Sequence, residues 1–306
     1  MKTEFKQFAE NIRLTDNQED DAKTKYKGVC KKLHTSYYNK SYDGGTKFLF
    51  GSYKTKTNVR PLTEKQDVDA IFKIPKETYE KFKNYTSNGP AALLQEVKDY
   101  LKEKYTTTDK IKAWGKVVLV NFIDKTHNVE VLPAYEKDDD TFIIPNSENG
   151  GSWDKFDPRK QISDFLSSNS TTNGLTAELA RMIKTWVNNT SSCKYKSYVL
   201  LTDVIKFLQI HFTTGADYSE YSDVVKCFFQ YLKNSCDEDI KSNVETALNR
   251  AIKAIDFENE DKPEEASEEW RKIFGLEFPL VKSNPSKENN SNTRVFTNPS
   301  APYGYN

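Results

Sequence analysis

The sequence contains little of the chemistry that usually marks a zinc, disulfide or thiol-dependent protein. Its 306 residues include only four cysteines and three histidines. The cysteines form no Cys-x-x-Cys pair, and His34, His127 and His211 lie far apart in the chain. This scarcity argues against a zinc site, a disulfide framework and a Cys-His nucleophile.

An excess of one charge and a long apolar segment are also missing. The 45 basic residues balance 45 acidic ones, so extensive coating of nucleic acid is not expected, although a local basic groove stays compatible with the total. No apolar run approaches the roughly 18 residues that a membrane span needs. The opening "MKTEFKQFAE" lacks the apolar centre of a signal peptide. We therefore expect a cytoplasmic protein without a membrane segment.

What the sequence does contain is a change of pattern along its length. The first half alternates predicted strands with helices, and residues 136–174 form a polar connection that carries Gly and Pro. The second half has the periodicity of helices. The predicted strands are 46–50, 67–74, 116–123 and 128–135, and the predicted helices are 20–39, 91–101, 175–189, 197–212, 219–234 and 238–256, with a shorter one after residue 263.

This order predicts an α+β protein in which a mixed sheet lobe precedes a C-terminal helical lobe, with a cleft between them. We place the sheet lobe and its N-terminal helices at 1–155 and the helical lobe at 156–281. Residues 282–306 are poor in aliphatic side chains, and we expect a flexible tail there.

Two aspartates stand inside the predicted strand "DVDAIFKI". Residues two apart on a strand point to the same face, so Asp67 and Asp69 project together while Val68 faces the core. Such acids are costly in apolar surroundings unless a cation lies between them. Mg²⁺ is the natural partner, and a pair of ions would clamp a phosphoryl transfer. Glu130, flanked by valines on a later predicted strand, is the candidate third acid.

The segment "GSYKTKTNVRP" before these acids supplies a turn suited to phosphate. Gly51 allows close approach of the backbone, and the Ser52 hydroxyl with the neighbouring amides can hold phosphates opposite the metal. Each element is weak alone, because an isolated Asp-x-Asp is usually a solvated strand edge. The ordered combination of a strand, Gly-Ser, Asp-Val-Asp and a later acid is far more specific.

This ordered set resembles the DNA polymerase beta-like nucleotidyltransferase superfamily. "GSYKTKTNVRP…DVDAIFKI" is similar to the G-S-x4-T-x2-R-P…D-V-D signature of the cGAS/DncV-like nucleotidyltransferases (CD-NTases), and "NVEVLPAY" to their third-acid strand. "LTAELARMIKTWVNN", "KYKSYVLLTDVIKFL" and "ASEEWRKIFGLEFP" resemble later elements of the same family. The resemblance covers residues 5–280. The sequence departs from the family pattern at Glu130, where many relatives have Asp.

The resemblance implies a role for individual residues. Asp67, Asp69 and Glu130 would be the catalytic acids and would bind two Mg²⁺ ions, for which Mn²⁺ could substitute. The nucleotide would be held by residues of both lobes. These nucleotide-binding residues are Gly51, Ser52, Lys184 and Ser197. For Lys184 a solvated helix face, and for Ser197 a helix N-cap, are the simpler alternatives.

The implied function is synthesis of a cyclic di- or trinucleotide second messenger in antiphage (CBASS) signalling. Nucleoside triphosphates, ATP among them, would be the substrates, and a regulatory protein could bind the C-terminal tail. Nucleic acid is not required by the sequence. Two alternatives stay open: a template-free nucleotidyltransferase that modifies RNA or protein, and a catalytically silent nucleotide-binding module.

Overall fold

Seven strands and eleven α-helices are formed by the residues that the computed structural model describes, which are 1–62, 67–108, 110–124 and 126–282. The strands are β1 (Lys47–Leu49), β2 (Asp67–Lys73), β3 (Lys110–Trp114), β4 (Val117–Asn121), β5 (Asn128–Glu136), β6 (Phe142–Asn146) and β7 (Ser152–Phe156). The helices are α1 (Lys2–Ile12), α2 (Asp16–Tyr38), α3 (Gly51–Thr55), α4 (Lys76–Lys83), α5 (Gly89–Lys104), α6 (Pro158–Thr171), α7 (Leu175–Asn189), α8 (Ser197–Ile210), α9 (Tyr221–Ser235), α10 (Glu238–Asn259) and α11 (Pro263–Phe274). Short 3₁₀ turns cover Tyr218–Glu220 and Gly275–Glu277.

The strands form one mixed sheet, ordered β1-β2-β5-β4-β3. Strands β2 and β5 run parallel in its middle, whereas the other pairs in this row are antiparallel. The far end of β5 also pairs with β6, which pairs with β7. The predicted pairing of 116–123 with 128–135 and the α+β class are confirmed.

Apolar side chains on one face of the sheet form the first core. Val68 and Phe72 of β2 and Val129 and Val131 of β5 are fully buried and pack against helices α2 and α5. Their alternation with polar residues is typical of a strand with only one covered face. The opposite face of β2 and β5 is therefore free to carry polar groups at its start.

Helices α7 to α11 surround a second core that is rich in aromatic side chains. Helix α1 belongs to this core although it begins the chain. Phe5 meets Trp270 edge-on with ring centroids 5.1 Å apart, and Phe8 lies 4.6 Å from Phe274. Both lobes are thereby joined at the N-terminus, because α1 leads directly into α2 of the sheet lobe.

The segment 136–174 corrects the sequence prediction, since it is not only a polar connection. It forms β6, β7 and α6. Phe142 and Ile144 of β6 are buried, as are Ile162 and Phe165 on one face of α6. The polar and small residues of this segment predict a connection. These four buried apolar side chains nevertheless pack β6 and α6 against their neighbours.

The predicted helices of the second half are confirmed to within a few residues, from α7 to α11. Within the described residues, no helix is both long and apolar enough to span a membrane. The predicted flexible tail lies outside the described residues except for Lys282.

Candidate active site

Strands β2 and β5 bring the three predicted acids onto one face of the sheet. Asp69 is the register partner of Glu130, and Asp67 is the partner of Asn128. Because parallel register partners point to the same side, the three carboxylates, here called the acid trio, lie together near the amino-terminal ends of the two strands. Val68 points the other way and is fully buried.

Desolvation and mutual repulsion act on the acid trio together. Burial, followed by repulsion from Glu130 and Asp67, raises the pKa of Asp69 to about 7. Burial and the neighbouring Asp67 raise the pKa of Glu130 to about 6. Burial also raises the pKa of Asp67, against a hydrogen bond with Asn128 that lowers it. Holding these groups ionised near pH 7 therefore calls for a cation.

The acid trio offers carboxylate oxygens, the type of donor atom that a hard divalent cation prefers. Asp67 Oδ1 is buried and has no hydrogen-bond partner among the described residues. Within that same part of the chain, no three His, Cys, Asp or Glu side chains are grouped closely enough to hold a metal ion by themselves. Carboxylate oxygens from one or two side chains, completed by oxygens of water or of a bound anion, are the usual ligands of Mg²⁺.

Gly51 meets the acid trio at the first residue of α3. Its φ is +64°, and a Cβ placed on it would collide with Asp69 Oδ2. The site therefore excludes any side chain at this position, both by backbone conformation and by space. The predicted Gly-Ser turn is a five-residue helix, and its start is in contact with the second acid.

Lys184 connects the helical lobe to this turn. Its Nζ donates hydrogen bonds to Ser52 Oγ at 2.8 Å and to Thr57 Oγ1 at 3.0 Å. Burial lowers the pKa of Lys184 to about 8, while the charge of Asp69 raises it and Arg181 lowers it further. Lys184 is therefore not a solvated residue on an outer helix face.

The loop after α3 is held by the neighbouring arginine of α7. Arg181 Nη1 donates to the carbonyl of Lys56 at 2.8 Å, and the Thr57 amide donates to the carbonyl of Ser52 at 3.0 Å. Thr57 is fully buried. The hydrogen bond of Thr57 with Lys184 joins the two lobes and leaves no signal in the spacing of the sequence.

Ser197 is the first residue of α8 and faces the same cleft. The capping position is Lys196, and no side-chain cap hydrogen bond is made there. Ser197 is exposed, which leaves its hydroxyl accessible to solvent in the cleft. The structure thus brings all seven predicted site residues to one place, since each lines one or both of the cavities described next.

Two adjoining cavities make up the cleft, with volumes of about 360 Å³ and 320 Å³. The first, here called the acid cavity, contains the acid trio. The second is more apolar, and we call it the side cavity. Four residues line both: Ser52, Asp69, Lys184 and Ser197. Further walls of the side cavity are Phe50, Gly51, Phe156, Ile162, Tyr198 and Leu201.

A second group of acids lies close by but is compensated by ion pairs. Lys25 Nζ donates to Asp21 Oδ2 at 3.0 Å and to Asp124 Oδ1 at 2.6 Å. His127, just before β5, bonds to Asp21 Oδ2 through Nδ1 at 2.6 Å. Lys25 and His127 are buried. We call these four residues the paired cluster, in which Asp21 is the structural partner of His127.

Comparison with known proteins adds independent findings. The model of the SMODS family, described as the Second Messenger Oligonucleotide or Dinucleotide Synthetase domain, matches residues 1–169. A probable cyclic nucleotide synthase of Bacillus cereus strain VD146 is 24% identical over 288 residues, spanning 79% of this chain and 85% of that protein.

Solved structures of similar fold include proteins of two bacteria. CdnC of Escherichia coli MS115-1, determined with ATP, has a TM-score of 0.64 at 19% identity, covering 90% of this chain and 98% of CdnC. The Vibrio cholerae di-nucleotide cyclase DncV, determined in a mutant form, has a TM-score of 0.67 at 14% identity, covering 89% of this chain and 95% of DncV. At these identities the likeness establishes the fold.

Proposed function

The chain belongs to the SMODS family of second messenger oligonucleotide or dinucleotide synthetases, and we propose on that premise that it makes a cyclic di- or trinucleotide from nucleoside triphosphates. Membership confirms the relationship to CD-NTases that the motifs indicated. The observation that carries the proposal is the acid trio itself, three partly buried carboxylates that lie on one face of the sheet and line one cavity of the cleft.

The acid trio would hold the metal. Asp67 and Asp69 offer paired oxygens, Asp67 Oδ1 has no partner among the described residues, and Glu130 stands in register beside Asp69. Two Mg²⁺ ions, or Mn²⁺ in their place, would supply neutralisation of the charge that develops on the attacking and leaving oxygens. Glu130 carries the same charge as the Asp of many relatives, on a side chain that is one methylene longer.

The triphosphate would bind where the two lobes meet. Ser52 Oγ and Lys184 Nζ are already 2.8 Å apart, and Ser197 faces the same space. A lysine suits this role because its ammonium is a compact charge that can exchange a hydroxyl partner for a phosphate oxygen. The base of this nucleotide would occupy the adjoining side cavity, whose walls are largely apolar.

The reaction forms one bond and breaks one. A ribose hydroxyl oxygen of one nucleotide bonds to the α-phosphorus of another, the bond from that phosphorus to the bridging oxygen breaks, and pyrophosphate leaves. The hydroxyl proton would pass to a carboxylate of the acid trio, since these acids line the cavity in which the hydroxyl would react. A further round, closing on the first nucleotide, gives the ring.

The proposed substrates, biological role and partner of this chain are based on proteins of similar fold. CdnC was determined with ATP and in a complex with a HORMA protein, and DncV with the linear intermediate pppA(3′,5′)pG. We propose ATP among the substrates of this chain, a cytoplasmic role in CBASS-type antiphage signalling, and a regulatory protein partner for the tail. Deleting 283–306 should then abolish binding of that partner.

We retain 1–155, 156–281 and 282–306 as the proposed sheet lobe, helical lobe and tail. The placement of α1 in the helical core means that the first segment contributes to both lobes. Separate expression of 156–281 should therefore give a poorly folded product, because Phe5 and Phe8 would be missing from its core.

The proposed function is tested by incubating the protein with labelled nucleoside triphosphates and Mg²⁺ or Mn²⁺, with and without RNA. A small phosphatase-resistant product identified by mass spectrometry is the expected result. Label that is transferred to RNA or to protein instead would contradict it.

A further inference from the structure

The Thr57 side chain is enclosed where the two lobes meet. It stands in the wall of the side cavity, yet none of its surface is exposed. Its Oγ1 accepts a hydrogen bond from Lys184 Nζ at 3.0 Å. Ser52 Oγ, the other acceptor of this ammonium, belongs to a residue that lines both cavities of the cleft. A nucleotide in the cleft therefore meets Ser52, whereas Thr57 acts on that nucleotide only through Lys184.

The direction of the hydrogen bonds around Thr57 follows from counting hydrogens. The Thr55 hydroxyl donates to the carbonyl of Gly51 at 3.1 Å, so its single hydrogen is used. Because an ammonium accepts no hydrogen bond, the Thr57 hydroxyl donates to Thr55 Oγ1 at 3.0 Å. The chain of hydrogen bonds therefore runs from Lys184 through both threonines to Gly51. Successive hydrogen bonds of this kind strengthen one another at low local dielectric.

The backbone that carries Thr57 is held from two directions. Its amide donates to the carbonyl of Ser52 at 3.0 Å, and Arg181 Nη1 donates to the neighbouring carbonyl of Lys56 at 2.8 Å. Two of the three N–H groups of Lys184 are engaged by Ser52 and Thr57. The third has no hydrogen-bond partner within the described part of the chain, so a phosphate oxygen can accept from it.

We propose that Thr57 is a positioning residue that holds the Lys184 ammonium ready for the triphosphate. The inference rests on the proposed function, in which Lys184 binds the phosphates. A long, flexible side chain that is ordered only when the ligand arrives weakens binding by the entropy it loses. The Thr57 hydroxyl orders this lysine beforehand and leaves Ser52 and the third N–H to contact phosphate.

The first variant is Thr57→Val, which keeps the shape of the side chain and removes the hydroxyl. Binding of the α,β-methylene analogue of ATP with Mg²⁺ is measured by calorimetry. We expect binding about three- to tenfold weaker than in the parent, the cost of immobilising one long side chain. Thr57→Ser keeps the hydroxyl and should restore the affinity to within about twofold of the parent.

A double-mutant cycle with Lys184→Met distinguishes an action through Lys184 from a general one. Once the ammonium is removed, Thr57 has nothing to position. Thr57→Val should therefore change the affinity of the Lys184→Met protein by less than about twofold. A purely structural effect of Thr57 would instead weaken binding equally in both backgrounds.

Thr185→Val is the matched control. Thr185 is a buried threonine next to Lys184, and its hydroxyl donates to the carbonyl of Arg181 at 2.9 Å within α7. This variant should lower the Tm, as Thr57→Val does, because each loses a buried hydrogen bond. Its affinity for the analogue should stay at that of the parent.

Three results would overturn the inference: parental affinity in Thr57→Val, affinity in Thr57→Ser as weak as in Thr57→Val, and an equal loss from Thr57→Val with and without Lys184. If the parent binds no analogue, the proposed function and this inference fail together. If the coupling is found but the parent makes no cyclic product, only the proposed function fails.

Discussion

Two groups of acids lie at the start of strand β5 with opposite electrostatics. In the paired cluster, burial is outweighed by hydrogen bonds from His127, Thr126 and Lys25, and the pKa of Asp21 is lowered. In the acid trio, burial and mutual repulsion prevail, and the pKa of Asp69 is raised to about 7. The carboxylates of the paired cluster are thus stabilised in their charged form, whereas those of the acid trio are destabilised in it. A cation bound at the acid trio would remove that difference.

The largest effect should come from removing that strained charge. Asp67→Asn combined with Asp69→Asn should lower the rate of product formation by more than about 10³-fold, because both proposed metal positions lose their ligands. Mass spectrometry of the reaction mixture measures this. Retained synthesis with an intact fold would refute the metal assignment.

Gly51→Ala tests the close approach of α3 to the acid trio. The added Cβ would collide with Asp69 Oδ2, and the displacement of about 1 Å needed to relieve it should reduce the rate by roughly 100-fold. Gly150→Ala is the matched control, since Gly150 also has a positive φ but nothing within 4 Å of the added atom. Equal losses of rate in both variants would mean that backbone strain, not contact with Asp69, is responsible.

The paired cluster should show the reverse behaviour. Asp21→Asn leaves the buried Lys25 and His127 with weaker partners and should lower the free energy of unfolding by about 1–3 kcal/mol. Turnover of the folded enzyme should change little. Asp20→Asn serves as control, because the ion pair of Asp20 with Lys23 is exposed and 3.8 Å long. Denaturant titration measures the free energy of unfolding of both variants. If Asp21→Asn is as stable as Asp20→Asn, the paired cluster does not stabilise the fold in the way proposed.

Ser52→Ala should give the smallest change. It removes one hydroxyl that now accepts from Lys184, and we expect the KM for nucleotide to rise about three- to tenfold. Metal binding should persist, because the acids are untouched. Loss of metal binding in this variant would show that Ser52 belongs to the metal site.

Much of this arrangement could be predicted from the sequence. Alternation along "DVDAIFKI" placed Asp67 and Asp69 on one face, and the periodicity of the second half located α7 to α11. The polar segment 136–174 hid β6, β7 and α6, because a few apolar residues per element give little periodic signal. The pairings of Asp21 and Lys25 with the loop before β5 join residues about 100 positions apart, which local pattern does not reveal.

The central claim is that the acid trio carries more negative charge than the nearby Lys184 offsets, so that a cation must neutralise the remainder. Since the folded-state pKa of Asp69 lies above its unfolded value of 3.8, the metal-free protein loses stability as the pH rises from about 4 to about 7. The direct measurement is the free energy of unfolding in EDTA, for the parent and for the Asp67→Asn, Asp69→Asn variant.

At pH 7.5 we predict a variant that is more stable than the parent by about 2–4 kcal/mol, with the advantage vanishing near pH 4. Adding Mg²⁺ with a non-hydrolysable nucleotide should then stabilise the parent alone. A parent that is the more stable protein at both pH values, without metal, would contradict the account.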